Sequence, residues 1–322
     1  MALNSYHQMN STYPPSSTWP GASASANYAS TITNAIQSVN GSYGPNWVVL
    51  VLPQLDQTAL YQTFAVAPPL GNPANFIQNA AGPASTPIPV MICPTDTNTR
   101  SVYVDPNSNN WARGNYAANG GLNVLPASIP PAWQQSVNTL GVMGLDVALT
   151  LDQIKDGASN TLMLAEVRAG LAVPAGSAGD PRGVWALGGT PSSLWGHGSV
   201  ATNATNAGND NGPNFAAQGM GDQMFSCGSV QQSVPGGSVA MTNVGMPCVP
   251  GSPDMNQTQT ARSMHVGGVQ AAFCDGSVHF ISNSIQTVNA NSSGTTAGSV
   301  ALSVWDMINL SNDGQVLAAG SF

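Results

Sequence analysis

Charge is what this sequence has least of. Only 6% of its 322 residues are Asp, Glu, Lys or Arg, against roughly a quarter in an ordinary soluble domain. Lysine occurs once, at Lys155, and glutamate once, at Glu166. Six cations face fourteen acids, a formal net charge of −8. With no cluster of Lys or Arg to neutralise phosphates, nucleic-acid binding is excluded. Attraction to an anionic membrane surface is excluded for the same reason. A P-loop is excluded as well, since no G-x-x-x-x-G-K-[ST] occurs.

Other absences narrow the field further. The longest apolar run, "WVVLVLP" from Trp47 to Pro53, is far short of the ~20 residues of a membrane helix. No leader is visible, because Met1 runs directly into "ALNSYHQMNSTYPPSS", so either a cytoplasmic protein or a chain lacking an N-terminal segment is expected. The four cysteines, Cys93, Cys227, Cys248 and Cys274, contain no C-x-x-C, which removes zinc-ribbon and thioredoxin readings. No G-x-S-x-G nucleophile elbow occurs. The four histidines, His7, His197, His265 and His279, show no H-E-x-x-H spacing. A lone glutamate leaves a two-carboxylate glycosidase without an evident partner.

What is present is an apolar fraction of 42% and a mean hydropathy of −0.01. That suffices for a sizeable core, with Asn, Ser, Thr, Gln and Gly supplying the wettable surface. Disorder through charge excess is excluded. Cys227 and Cys248 share a stretch rich in Gly, Pro and Ser, where a disulfide would pin backbone that secondary structure does not. An oxidising compartment is therefore expected, with Cys227–Cys248 and Cys93–Cys274 as the pairing.

Along the chain, "ALNSYHQM" places Ala2 or Leu3, Tyr6 and Met9 at helical spacing, ended by Tyr13-Pro14-Pro15. "NWVVLVL" (46–52) predicts a buried strand and "PQLDQTALYQTF" a helix with Leu55, Ala59 or Leu60, and Phe64 on one face. "IPVMICPTD" (88–96) predicts a strand running into a turn. A short helix at 151–155, a turn at Asp156-Gly157 and a strand at 161–167 follow. From 169 to about 263 short strands and ordered loops are expected. In "VQAAFCDGSVHFIS", Asp275-Gly276 carries the type I′ hairpin signature. "SVALSVWDMINL" (299–310) predicts a closing helix with Val300, Val304 and Met307 or Ile308 in line. No fixed-period repeat is present.

Candidates for chemistry are few. His265 and Asp275 could pair as an oriented imidazole, but a straight strand would hold them about 33 Å apart. Only a reversal at Gly267-Gly268 could join them, and turn chemistry alone accounts for Asp-Gly. Asp105, Asn107 and Asn109 mimic the first positions of a calcium loop, yet Asn110 and Tyr116 stand where its glycine and bidentate glutamate belong. "NAGNDNGPN" (206–214) is equally incomplete, and turn-forming side chains explain both. Glu166 and Arg168 share a face of one strand, with Arg182 or Arg262 as further partners for Glu166, or else a partly exposed ion pair.

"HVGGVQAAFCDGSVHF" (265–280) resembles the prepilin-associated motif of a histidine, nine residues and Asp-Gly, here His265 and Asp275-Gly276. "ALNSYHQMNSTYPPSS", "LPQLDQTALYQTF", "MICPTD", "GNYAANGG", "IKDGASNTLMLAE" and "RGVWALGG" fall in the order of the same family. This is the prepilin-like group abundant in planctomycete bacteria, known as domain of unknown function 1559. The resemblance spans nearly the whole chain. It implies a type IV pilin-like α+β fold, a long N-terminal helix packed on an antiparallel sheet with loop-rich insertions. Family members begin with a basic leader and a hydrophobic helix, so this chain reads as a version starting near that helix's end.

These readings combine into one expectation. A single pilin-like domain spans 1–322. Its parts are a helix end (1–12), a first sheet region (46–168), a loop-rich insertion (169–262), and the hairpin with a closing helix (263–322). It is expected to be an exported structural subunit of a filament or secretion pseudopilus, at the cell surface, in the periplasm or outside the cell. Its partners are then other pilin-like subunits or further copies of itself, with membrane contact only through the preceding helix. No catalytic residues, no metal beyond the calcium candidates and no cofactor are expected, and His265, Asp275 and Gly276 are structural. The alternative is a surface module that binds a carbohydrate or other neutral solute, with Trp19, Trp47, Trp111, Trp133, Trp185, Trp195 and Trp305 as stacking faces.

Overall fold

The computed structural model describes residues 1–18, 44–64, 82–105, 108–121, 141–144, 147–189, 192–196, 212–216, 221–224, 226–250, 259–287, 302–318 and 320–322. The elements in chain order are α1 (Ala2–Asn10), α2 (Trp47–Val51), α3 (Thr58–Thr63), β1 (Tyr103–Val104), β2 (Asn110–Trp111), β3 (Tyr116–Asn119), β4 (Met143–Gly144), β5 (Val147–Ala148), β6 (Leu162–Glu166), β7 (Leu194–Trp195), β8 (Asp222–Met224), α4 (Cys227–Ser233), α5 (Gly237–Asn243), β9 (Cys248–Pro250), β10 (Gly268–Phe273), β11 (Val278–Ser282) and α6 (Val304–Asn309). The fold is mixed α/β. Its central sheet runs β11-β10-β6-β3-β7. The first four strands are antiparallel neighbours, and β7 joins β3 in parallel.

Neighbouring residues on a strand point to opposite faces, and here both faces are covered. Ala118, Met163 and Leu194 pack beneath Leu3, Tyr13, Trp47 and Val51. Ala117, Leu162, Val269 and Phe273 pack against Trp305 and Ile308 of α6. The Trp195 and Trp305 rings stack at 5.6 Å between centroids, tying α6 to the β7 edge. A third, smaller core gathers Met224, Val230 and Met241 around the Cys227–Cys248 disulfide. It is built by α4, α5 and the β8–β9 pair. These two helices lie in a region expected to hold only strands and loops.

Several expectations are corrected. "NWVVLVL" is not a strand but α2, continuing into a 3₁₀ turn at Leu52–Leu55. Its start is capped by Asn46, whose side-chain oxygen accepts the Val49 N–H at 3.1 Å. Short apolar runs have no period that separates a buried helix from a buried strand. "IPVMICPTD" likewise forms a 3₁₀ turn at Pro89–Met91 rather than a strand. In α6 Ile308, rather than Met307, is the inward residue of the expected line, Val304 packs partly buried against the same core, and the largest inward side chain is Trp305, which that line omitted. Its start carries a capping box between Ser303 and Asp306. Val300 lies outside the described residues. Finally, Cys93 and Cys274 do not pair: both are buried free thiols.

The hairpin joining β10 to β11 also differs from a two-residue turn. Gly276 has φ 91°, while Asp275 is not among the residues with positive φ. The Gly276 N–H reaches the Phe273 carbonyl and the Phe273 N–H reaches Ser277. This is a three-residue loop, a type I turn closed by a left-handed glycine.

Candidate functional site

Three segments far apart in sequence meet at the end of β6. Cys93 follows the 3₁₀ turn Pro89–Met91, and its N–H donates to the Asn115 side-chain oxygen at 2.8 Å. Asn115 in turn donates to Asp96 at 2.8 Å and to the Val167 carbonyl at 3.0 Å, which holds this segment beside the strand. Glu166 is the last residue of β6, and its side chain is 3% exposed. Its Oε2 accepts the Gln270 N–H of β10 at 2.8 Å. His265 precedes β10 in a bend that Gly267 permits with φ 88°. The His265 N–H donates to Ser263 Oγ at 3.0 Å.

From these anchors the side chains converge. His265 Nε2 stands 3.2 Å from Glu166 Oε1 and 3.6 Å from Cys93 Sγ. All three donor atoms lie within 4.8 Å of one another. Thr95 Oγ1 is a further 3.0 Å contact of the sulfur. Glu166 and Cys93 are buried, while the imidazole is 31% exposed, so the cluster opens to solvent on its histidine side. Tyr116 sits opposite Glu166 in the β3–β6 register. Burial pushes its phenol pKa up, and the negative field of Glu166 and Cys93 adds to the shift. Tyr116 also lines an apolar cleft of about 580 Å³ between α1, α2 and the sheet, with Leu3, Trp47 and Met163, but none of the three donors lines it.

A serine-protease-like relay would need the nucleophile on one ring nitrogen and the carboxylate on the other. Here thiol and carboxylate both face Nε2, so the geometry gathers donors around a point instead of passing a proton through the ring.

His265, Glu166 and Cys93 were each singled out from sequence, though not together, and the other candidates fall elsewhere. Asp275 does not meet His265. It stays in its turn, accepting the Ser277 N–H at 2.8 Å and the Ser277 hydroxyl at 2.7 Å. Glu166 does not pair with Arg182 or Arg262, whose partners are Asp180 and Asp222. Of the calcium candidates, Asp105 accepts from Asn109 and from the Trp111 indole N–H at 3.0 Å, closing the β1–β2 turn. Asn107 lies outside the described residues, as does most of 206–214 and His197. His7 accepts the Leu151 N–H at 3.3 Å, and His279 contacts Ser277 Oγ at 3.1 Å. Trp47, Trp111, Trp185, Trp195 and Trp305 are all buried, so none offers a stacking face. Trp19 and Trp133 lie outside the described residues.

Sequence reasoning missed Cys93 as a partner of His265, and it missed the arginine network altogether. Arg113, Arg168, Arg182 and Arg262 are buried. Arg182 grips Asp180 at 2.7 Å and Asp222 at 2.9 Å, and Arg262 meets the same Asp222 at 2.8 Å. Arg168, Arg262 and Arg182 also donate to the successive carbonyls of Val244, Gly245 and Met246. Cations thus collect where the α5 dipole leaves partial negative charge.

The family model SBP_bac_10, described as a protein of unknown function (DUF1559), matches residues 1–287. The chain belongs to that family. No curated protein and no solved structure matches it. Cys93, Glu166 and His265 all fall within the span that makes this a DUF1559 protein. The disulfide is consistent with an exported DUF1559 protein. Among the described residues no helix is long and apolar enough to cross a membrane.

Proposed function

We propose that this DUF1559 protein is a structural, pilin-like subunit of an extracellular filament or a secretion pseudopilus, with no catalysis of its own. In this reading it is a planctomycete prepilin-like protein, and "HVGGVQAAFCDGSVHF" is the prepilin-associated histidine, nine residues and Asp-Gly. It is exported, and its partners are like subunits. The observation that carries the reading is the tie between the segment that follows α1 and the β10–β11 turn. The Tyr13 hydroxyl donates to the Cys274 carbonyl at 2.9 Å, and Leu3 is buried in the same core as Trp47. A helix whose exit is fastened to the turn of an antiparallel hairpin is a contact that a pilin-like head would use.

Two further features favour it. Edge strand β11 leaves Val278 and Phe280 exposed, and a low-charge surface demands little desolvation at subunit contacts. The solute-binding alternative loses its stacking faces among the described residues. The test is immunogold labelling of sheared surface filaments from cells that carry the gene, with antibody raised against this chain. Labelled filaments are expected. Antigen found only as dispersed monomer, with bare filaments beside it, overturns the reading.

A further inference from the structure

We infer that Cys93, Glu166 and His265 form a binding site for one zinc ion, with a fourth position open to solvent. The first support is geometric. Three ligands on tetrahedral Zn²⁺, with bonds near 2.0–2.3 Å, stand about 3.3–3.6 Å apart. The imidazole nitrogen lies 3.2 Å from the carboxylate oxygen and 3.6 Å from the sulfur. Both already sit near the edge lengths of such a tetrahedron, and the third pair lies within 4.8 Å.

The second support is electrostatic. A thiolate and a carboxylate together balance a dication, so a buried site becomes neutral when loaded. Binding displaces the thiol proton of Cys93 to solvent and leaves the imidazole neutral. The third is donor chemistry. A sulfur donor disfavours calcium and magnesium, and a mixed S, N, O set suits zinc.

Surrounding contacts hold the donors in place, as second partners do in metal sites. Gln270 N–H fixes Glu166 through Oε2, which leaves Oε1 turned toward His265 and the proposed ion position. Thr95 Oγ1 is placed to donate to the Cys93 sulfur once it is a thiolate. The exposed flank of His265 leaves the fourth position to water or to a donor from a partner. The ligands come from "MICPTD", "LMLAE" and "HVGG", and the outer two are 172 residues apart in the chain, so no local spacing could announce them.

The test is equilibrium dialysis of the native, disulfide-bonded chain, its Cys93 thiol free, against zinc, with cobalt(II) as a spectroscopic stand-in. The Cys227–Cys248 bridge is confirmed by thiol titration beforehand. One zinc per chain is expected, together with a thiolate-to-cobalt charge-transfer band. Cys93→Ser should abolish the band, and Glu166→Gln and His265→Ala should each weaken zinc by at least ~10-fold. Cys274→Ser should leave binding unchanged. Because Glu166→Gln disturbs a buried residue, Thr95→Ala serves as a milder variant that keeps the fold and should lower affinity. Failure of the wild-type chain to bind zinc or cobalt with Cys93 reduced overturns the assignment. So does binding that Cys93→Ser and His265→Ala leave intact.

Discussion

At Asp313 burial works against charge. Desolvation, reinforced by Asp156 and Asp306, pushes this carboxyl up to about 6, although the Gln315 N–H opposes the shift. One of its oxygens is buried with no hydrogen-bond partner among the described residues. Between about pH 4 and 6 the folded chain therefore holds a proton that the unfolded chain has released. Stability contributed here is full below about pH 4 and is lost as pH rises through 6. Asp313→Asn keeps the acceptor for Gln315 and removes the charge. It should melt higher than the parent at pH 7 and show no advantage at pH 4, as thermal unfolding at both values would reveal. Asp180 is opposite in sign. Burial alone would raise its carboxyl, but Arg182 and Arg113 hold it below the usual carboxylate range. Composition announced that charge was scarce, and it singled out Glu166 as the lone glutamate. It did not say that four of the five arginines are buried. The partner of Glu166 was illegible because pairing is set by distance in the fold. His265 lies 99 residues away from it, while the nearer Arg168 turns to the Val244 carbonyl.

At the scale of elements, legibility followed periodicity and capping. α1 was readable because Leu3 and Tyr6 keep a helical spacing, although Met9, next in that line, is exposed, and β6, apolar up to its closing Glu166 and buried on both faces, was readable from the turn at Asp156-Gly157 before it. α2 was misread as a strand because five apolar residues in a row fit either state, and the deciding feature, the Asn46 cap, reads in sequence as one more asparagine. The β10–β11 turn was placed correctly by Asp-Gly, yet its type was not, since an extra residue on one side changes the bulge without changing the dipeptide. That loop supplies its own test. Gly276 holds φ 91°, a conformation costing a side-chain-bearing residue about 1–2 kcal/mol. A Cβ there would meet only the flexible end of Asn4, at 3.2 Å. Gly276→Ala should therefore lower unfolding stability by about that amount through backbone strain, without disturbing the sheet. Urea unfolding alongside far-UV circular dichroism would check both halves of the claim.

Across the whole molecule, the few charges available act as internal fasteners. Arg182 bridges Asp180 and Asp222, and Arg262 closes on Asp222 from the other side. Through these contacts the disulfide-centred core of α4 and α5 is clamped to the sheet. The Cys227–Cys248 bridge closes a loop of 21 residues and restrains the unfolded chain by roughly 3 kcal/mol, but it acts within that small core alone. The join between the two cores rests on the ionic network. Removing its central carboxylate leaves the buried Arg262 guanidinium without its ionic partner, while Arg182 keeps Asp180. Asp222→Asn should then cost about 3–5 kcal/mol. Exposed ion pairs weaken with salt, whereas buried ones are screened far less. The parent's stability should therefore change little between low and high sodium chloride, and the Asp222→Asn deficit should persist at both. Urea titrations of parent and variant at two salt concentrations would decide the matter. A deficit that vanished in high salt would mean that these arginines face water, and that the join between the cores is held by something else.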